Sequence, residues 1–210
     1  MRRFLYILTT CLLYLLLSSE SCNSRQDSAA SQEAELTKDV AVLKSEFESD
    51  ELSEKSLHAF EIKAKQKLVD FSDYLNIFAV KPIDESFKIQ ARQMILDLFI
   101  SENILINDRL LSEPDLKDIP VNDFLNEKFG YDFLNLKFDS IRISQPLHLK
   151  NGLNYSGSLR FSRFLETRTS SDTLIKAPAK MEVEIFVSKI RKAFGRDTLQ
   201  IWNVSLGNIY

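Results

Sequence analysis

Residues 53–79, SEKSLHAFEIKAKQKLVDFSDYLNIFA, decide the architecture. Leu57, Phe60, Ala64, Leu68, Phe71, Leu75 and Phe78 recur three or four positions apart, and Lys, Glu, Gln and Asp fill most of the other places. That spacing predicts an amphipathic helix of roughly seven turns with one strongly apolar face. Covering such a face is worth roughly 1.5–3 kcal/mol per large side chain, so the rest of the chain must supply a second layer to lie against it.

Working outward, Pro82 ends this helix and Asp84 is placed to cap a second one. In that second helix Phe87, Ala91, Met94, Ile95, Leu98 and Phe99 form another stripe. Residues 101–130 then lose the helical period, and ILINDRLLSEPDLKDIP (104–120) reads as a mixed connector with one short strand. VNDFLNEKFG (121–130) suits one or two helical turns. Beyond Gly130 the period falls towards two. LKFDSIRIS (136–144) reads as a strand with Ile141 and Ile143 inward, and Asn151-Gly152 as a turn. Tyr155, Gly157, Leu159 and Phe161 alternate with polar residues, as do Met181, Val183, Ile185 and Val187. Phe186 breaks that alternation, being apolar on the otherwise polar side. A hairpin through Phe194-Gly195-Arg196-Asp197 leads to a last strand with Leu199 and Ile201 on one face and Trp202, Val204 and Leu206 on the other. Helices followed by strands on short connections imply an α+β fold: N-terminal helices packed on a curved antiparallel sheet of about four strands, spanning residues 51–210.

That order of elements, ending in FGRDTLQIWNVSLGNI (194–209), resembles the NTF2-like or cystatin-like α+β roll. The resemblance implies either a pocket between helix and sheet or a sheet face used for dimerisation. It also implies that an enzyme on this roll would use an acidic residue inside the pocket.

The N-terminal stretch MRRFLYILTTCLLYLLLSSESCNSRQDS (1–28) sets Arg2 and Arg3 before an apolar run from Phe4 to Leu17. Fourteen residues reach roughly 21 Å, short of the roughly 30 Å hydrocarbon core, so the run reads as a signal peptide over residues 1–21 rather than a membrane span. It resembles the bacterial lipoprotein signal, which implies a lipid on Cys22 and an envelope protein held at a membrane; Ser19 and Glu20 depart from the usual pattern. Ordinary secretion, with Cys22 a bystander, is the alternative. Residues 22–50 read as a polar tether followed by a short helix whose stripe is Leu36, Val40, Leu43 and Phe47. That helix would fold onto the domain or assemble with a partner at the membrane surface.

Composition narrows the chemistry. The chain has 27 basic and 30 acidic residues, a formal net charge of −3, and its charges are interspersed. Nucleic-acid binding needs clustered Lys and Arg, and no stripe of them runs along the sequence. Cys11 and Cys22 are the two cysteines, both in the leader region, so the body has no thiol for a disulfide, a zinc site or a nucleophile. His58 and His148 are far apart and outside any metal-binding pattern, and neither a GxSxG elbow nor a glycine-rich phosphate loop is present. No metal or cofactor is therefore expected. Asp70 and Asp73 are the acid–base candidates beside Phe71 and Tyr74, but helical phase turns both away from the apolar stripe. Asn107, Asp108, Glu113 and Asp115 have the composition of calcium ligands without the ordered spacing. No catalytic set emerges. Of the aromatic residues Tyr155, Phe161, Phe164, Phe186 and Trp202, the candidate interface members are Phe186 and Trp202, which would serve a homodimer or an envelope partner. The function these features suggest is non-catalytic binding of a partner protein or small ligand, with a pocket enzyme as the alternative.

Overall fold

The computed structural model describes residues 51–111, 117–126, 129, 131–150, 152, 154–169, 173–195 and 197–210, with the backbone alone at Lys176, Phe194 and Asp197. The leader, Cys22, the tether and the stripe at 36–47 lie outside the described residues.

Helix α1 runs Glu54–Phe78. The Ser53 side chain starts it by accepting from the Ser56 backbone N–H at 3.2 Å, and Glu54 sits where the helix dipole favours an acid. Ala64, Leu68, Phe71 and Leu75 are fully buried, and Leu57, Phe60 and Phe78 pack around them, so the stripe is the buried face. Helix α2, Glu85–Leu96, begins at Asp84, whose Oδ1 accepts from the Ser86 N–H at 2.8 Å and its hydroxyl at 2.6 Å. Ala91, Ile95, Leu98 and Phe99 are buried as their phase requires. Phe87 is not: it is 60% exposed, because the first turn of α2 overhangs the core that its later turns cover.

The connector holds more order than one strand. It contains β1 (Leu105–Asn107), a 3-10 turn (Asp108–Leu110), β2 (Asp118–Pro120) and the four-residue helix α3 (Val121–Phe124). Four long strands follow: β3 (Phe133–Lys150), β4 (Asn154–Arg168), β5 (Thr173–Phe194) and β6 (Asp197–Ile209). Among the described residues the sheet therefore has six strands, in the order β2-β1-β6-β5-β4-β3. It is mixed rather than wholly antiparallel, because β1 meets β6 parallel at Ile106 and Ile209. The two extra strands are too short to give an alternating sequence signal, which is why a meander of about four strands is all the period reveals. The class is α+β, helices against a curled sheet.

Register fixes the faces. Tyr155 pairs with Val187, Gly157 with Ile185, Leu159 with Val183 and Phe161 with Met181, placing the inward positions of β4 and β5 side by side. On β6, Trp202, Val204, Leu206 and Ile209 complete the inner face. Four aromatic rings fill the centre: Phe71 meets Phe99 edge-on at 5.2 Å and Phe138 at 6.2 Å, and Phe138 meets Phe161 at 4.7 Å. Arg163 also faces inward and is fully buried.

Strand β3 is an edge of the sheet, yet α1 caps it. The Asn76 amide donates to the Leu136 carbonyl at 2.9 Å and accepts from the Leu136 N–H at 2.8 Å, as a neighbouring strand would. Further along, Glu61 Oε1 accepts from the Leu147 N–H at 3.1 Å. Both contacts occupy backbone groups that an open edge would leave exposed.

Candidate functional site

The polar groups of this domain gather on the outer face of the sheet, away from the helices. Strand β3 reaches it through a bulge. Between Asp139 and Arg142 its register with β4 shifts, and Ser140 takes the left-handed conformation at φ 53°, its N–H bonded to Asp139 Oδ1 at 2.6 Å. Bulges of this kind re-aim the residues that follow. Here they turn Arg142 and Ser144 outward beside Arg160 and Ser158 of β4 and Lys180 and Glu182 of β5.

Glu182 is the hub. Ser158 donates to its Oε1 at 2.6 Å and Ser144 to the same atom at 2.7 Å, while Arg160 approaches Oε2 at 3.3 Å. The two serine oxygens stand 2.7 Å apart. Each hydroxyl has one proton, so with both given to the carboxylate neither serine donates to the other. These bonds, that from Ser158 foremost, hold the Glu182 carboxyl below the usual glutamate range, against the opposing effect of partial burial. The network uses the charge of Arg160 and leaves both serine oxygens able to accept.

Around it lies an open groove of about 630 Å³. Arg109, from the 3-10 turn after β1, enters from the far side, and Arg142, Lys180 and Tyr210 complete its polar lining. A second hollow of about 330 Å³ adjoins it, sharing Glu182 and Tyr210 and extending past Ser158 to His148, Lys150, Glu184 and Phe186. Together they make a trough across β3, β4 and β5.

The residues singled out from sequence take separate places. Trp202 is 4% exposed and lies on the inner face, edge-on to Tyr155 at 5.7 Å, with Lys189 Nζ over its ring at 5.2 Å. Phe186 is half-buried on the outer face, its ring across Gly207 and Lys150 Nζ above it at 5.9 Å. The two candidate interface residues therefore sit on opposite faces. His148 is exposed, its Nδ1 3.2 Å from the Pro146 carbonyl, and His58 sits on α1; the fold does not join them. Asp73 is exposed, while Asp70 is half-buried and accepts from Gln66 at 2.8 Å. Asn107 caps the 3-10 turn and donates to Asp118; Glu113 and Asp115 lie outside the described residues. Among the described residues no cluster of three His, Cys, Asp or Glu is arranged for a metal, and no helix is long and apolar enough to cross a membrane.

Sequence reasoning did not single out Arg109, Arg142, Arg160, Lys180 or Glu182. Their outward phase is visible opposite Ile143, Phe161 and Met181, but their convergence depends on cross-strand register, which no single segment encodes. It also passed over Glu61, buried on α1 with His58 Nδ1 at 3.4 Å from its Oε2.

No protein-family model matches the chain, and no curated protein matches it in sequence. Two solved structures show a distant likeness. One is a protein from Novosphingobium aromaticivorans DSM 12444 given the provisional name scytalone dehydratase, with TM-score 0.35, 10% identity, and coverage of 74% of this chain and 90% of that one. The other is the Candida albicans Mtr2–Mex67 M domain complex, with TM-score 0.34, 12% identity, and coverage of 68% and 92%.

Proposed function

We propose that this chain is an exported, lipid-anchored envelope protein with a non-catalytic binding role, and that its NTF2-like roll binds through the outer face of the sheet. One observation carries the binding part. The space between helices and sheet is occupied by Phe99, Phe71, Phe138 and Phe161, each ring touching the next, whereas polar side chains from four elements converge on an outer groove of about 630 Å³. That volume lies within the range of small-molecule sites. The anchoring part rests on the leader and Cys22. The ligand is a small molecule or a segment of an envelope partner.

A Cys22→Ser change tests the anchor: the protein should leave the membrane fraction, and unchanged sedimentation with membranes would remove the lipid from the account. A thermal-shift screen tests the site. A ligand that raises the melting temperature of the parent should lose that effect when Ser144→Trp, at an exposed position in the lining, fills the groove. A ligand effect untouched by Ser144→Trp would place binding elsewhere.

A pocket enzyme using a buried carboxylate is the second reading, and Glu61 beside His58 is the observation that favours it. Both Glu61 oxygens are engaged, one with Leu147 and one with His58, which suits a clamp between helix and strand better than a base. Hydrolase or isomerase turnover lost in Glu61→Gln, with the fold intact, would reverse that ranking.

A further inference from the structure

We infer that the outer groove is built for a phosphomonoester, an inference that rests on the outer face being the binding face. The charge on the lining points there. Glu182 already holds Arg160 and two serine hydroxyls. Arg109, Arg142 and Lys180 line the same groove, and no ion pair joins any of them to an acid among the described residues. A chain of net charge −3 thus keeps three uncompensated cations in one hollow. Like charges are costly to gather, and a bound anion removes that cost.

The number and kind of donors select the anion. One guanidinium fork satisfies a single carboxylate, with two oxygens and one charge. Two arginines and a lysine facing one space match an anion with more oxygens and close to two charges, which is a phosphomonoester near neutral pH. Tyr210 adds a neutral donor. Its oxygen accepts from the Asn208 amide at 3.1 Å, so its own phenolic proton can be given to a ligand in the groove it lines. The groove is larger than phosphate alone requires, so the organic part of the ligand lies along the trough towards Phe186.

The test uses the full chain in mild detergent, with Arg142→Gln and Lys180→Gln beside the parent. Both positions are exposed, so the variants should melt with the parent. Glycerol 3-phosphate and citrate are titrated calorimetrically. Phosphatidylcholine vesicles with and without phosphatidic acid ask whether the phosphate belongs to a lipid. Glycerol 3-phosphate should bind, and each variant should weaken it by about tenfold or more. Capture by phosphatidic acid vesicles alone, lost in both variants, supports the same site with a lipid as its source. Citrate binding as tightly as glycerol 3-phosphate would overturn the phosphate assignment while leaving the outer-face reading intact. Phosphate binding indifferent to both substitutions would overturn the site. Binding of none of these probes would overturn the inference, and the outer-face reading would then stand or fall separately on the Ser144→Trp screen.

Discussion

Gly207 is where the outer face is packed most closely. A Cβ added there would overlap the Phe186 ring and stand 2.9 Å from the Glu184 Cβ. Gly207→Ala should destabilise the domain by about 1–3 kcal/mol in urea unfolding. Combined with Phe186→Ala the cost should shrink, a coupling that a double-mutant cycle reads directly. Glu182 offers a second test at this scale. A carboxyl with a depressed folded-state pKa contributes stability above its unfolded value, about 4.3, and loses it as pH falls through the folded value. Ser158→Ala removes the largest cause of that depression. Its Glu182 midpoint, followed by carboxyl NMR, should rise relative to the parent, and the variant should lose less stability on acidification through this window. An unmoved midpoint would mean the serine does not hold the charge. Phe186 shows how far one residue can be read from sequence. Its wrong phase on β5 is plain in the alternation, but the glycine it covers lies on another strand, beyond the reach of a single-segment pattern.

Among the elements, α1 is the most legible and the most consequential. Its stripe was set by spacing alone, and Phe71, fully buried between Phe99 and Phe138, is the position where truncation should cost most. Phe71→Ala should lower unfolding free energy by about 3–5 kcal/mol. The polar side of the same helix was not legible. Asn76 and Glu61 read as ordinary solvent-facing residues until β3 is laid beside them, because their partners are backbone groups 60 and 86 positions away. Asn76→Ala would leave the Leu136 N–H and C=O without a side-chain partner and should cost about 1–3 kcal/mol. Asn76→Asp should recover part of it, since a carboxylate still accepts from the N–H but cannot donate to the carbonyl. Equal losses in both variants would show that the donor half of the clamp dominates. The short β1 and β2 were hidden for a different reason: three residues are too few to display a period.

Stability is spread unevenly over the whole molecule. The last β4–β5 pair at one end is Tyr155 with Val187, while β5 and β6 go on pairing with each other as far as Phe194 and Asp197. Ile190 and Leu199 on that extension are 38% and 51% exposed, whereas Val183, Ile185 and Val187 have no exposed surface. Native-state hydrogen exchange should therefore be fast at Ile190 and Leu199 and slow, at the level of global unfolding, at Val183 and Ile185. Comparable protection at both ends would refute the division. Charge is uneven too. Basic and acidic residues alternate so evenly along the sequence that no patch is visible there, yet folding brings Arg109, Arg142 and Lys180 into one hollow. Fold class and strand phase could be read from local spacing; the groove could not, since it is a property of how strands are laid side by side.

The clamped border of β3 also bears on how copies of this protein meet. At that border the Leu136 backbone and the Leu147 N–H are held by the helix. The opposite border is β2, three residues long and ending in Pro120, which has no N–H to offer. A neighbour seeking to append its own strand finds those rungs of β3 already taken and, at β2, a run of three residues. Copies crowded together are therefore hindered from extending one another's sheets through these rungs, which favours a lone sheet whose polar trough stays open to solvent.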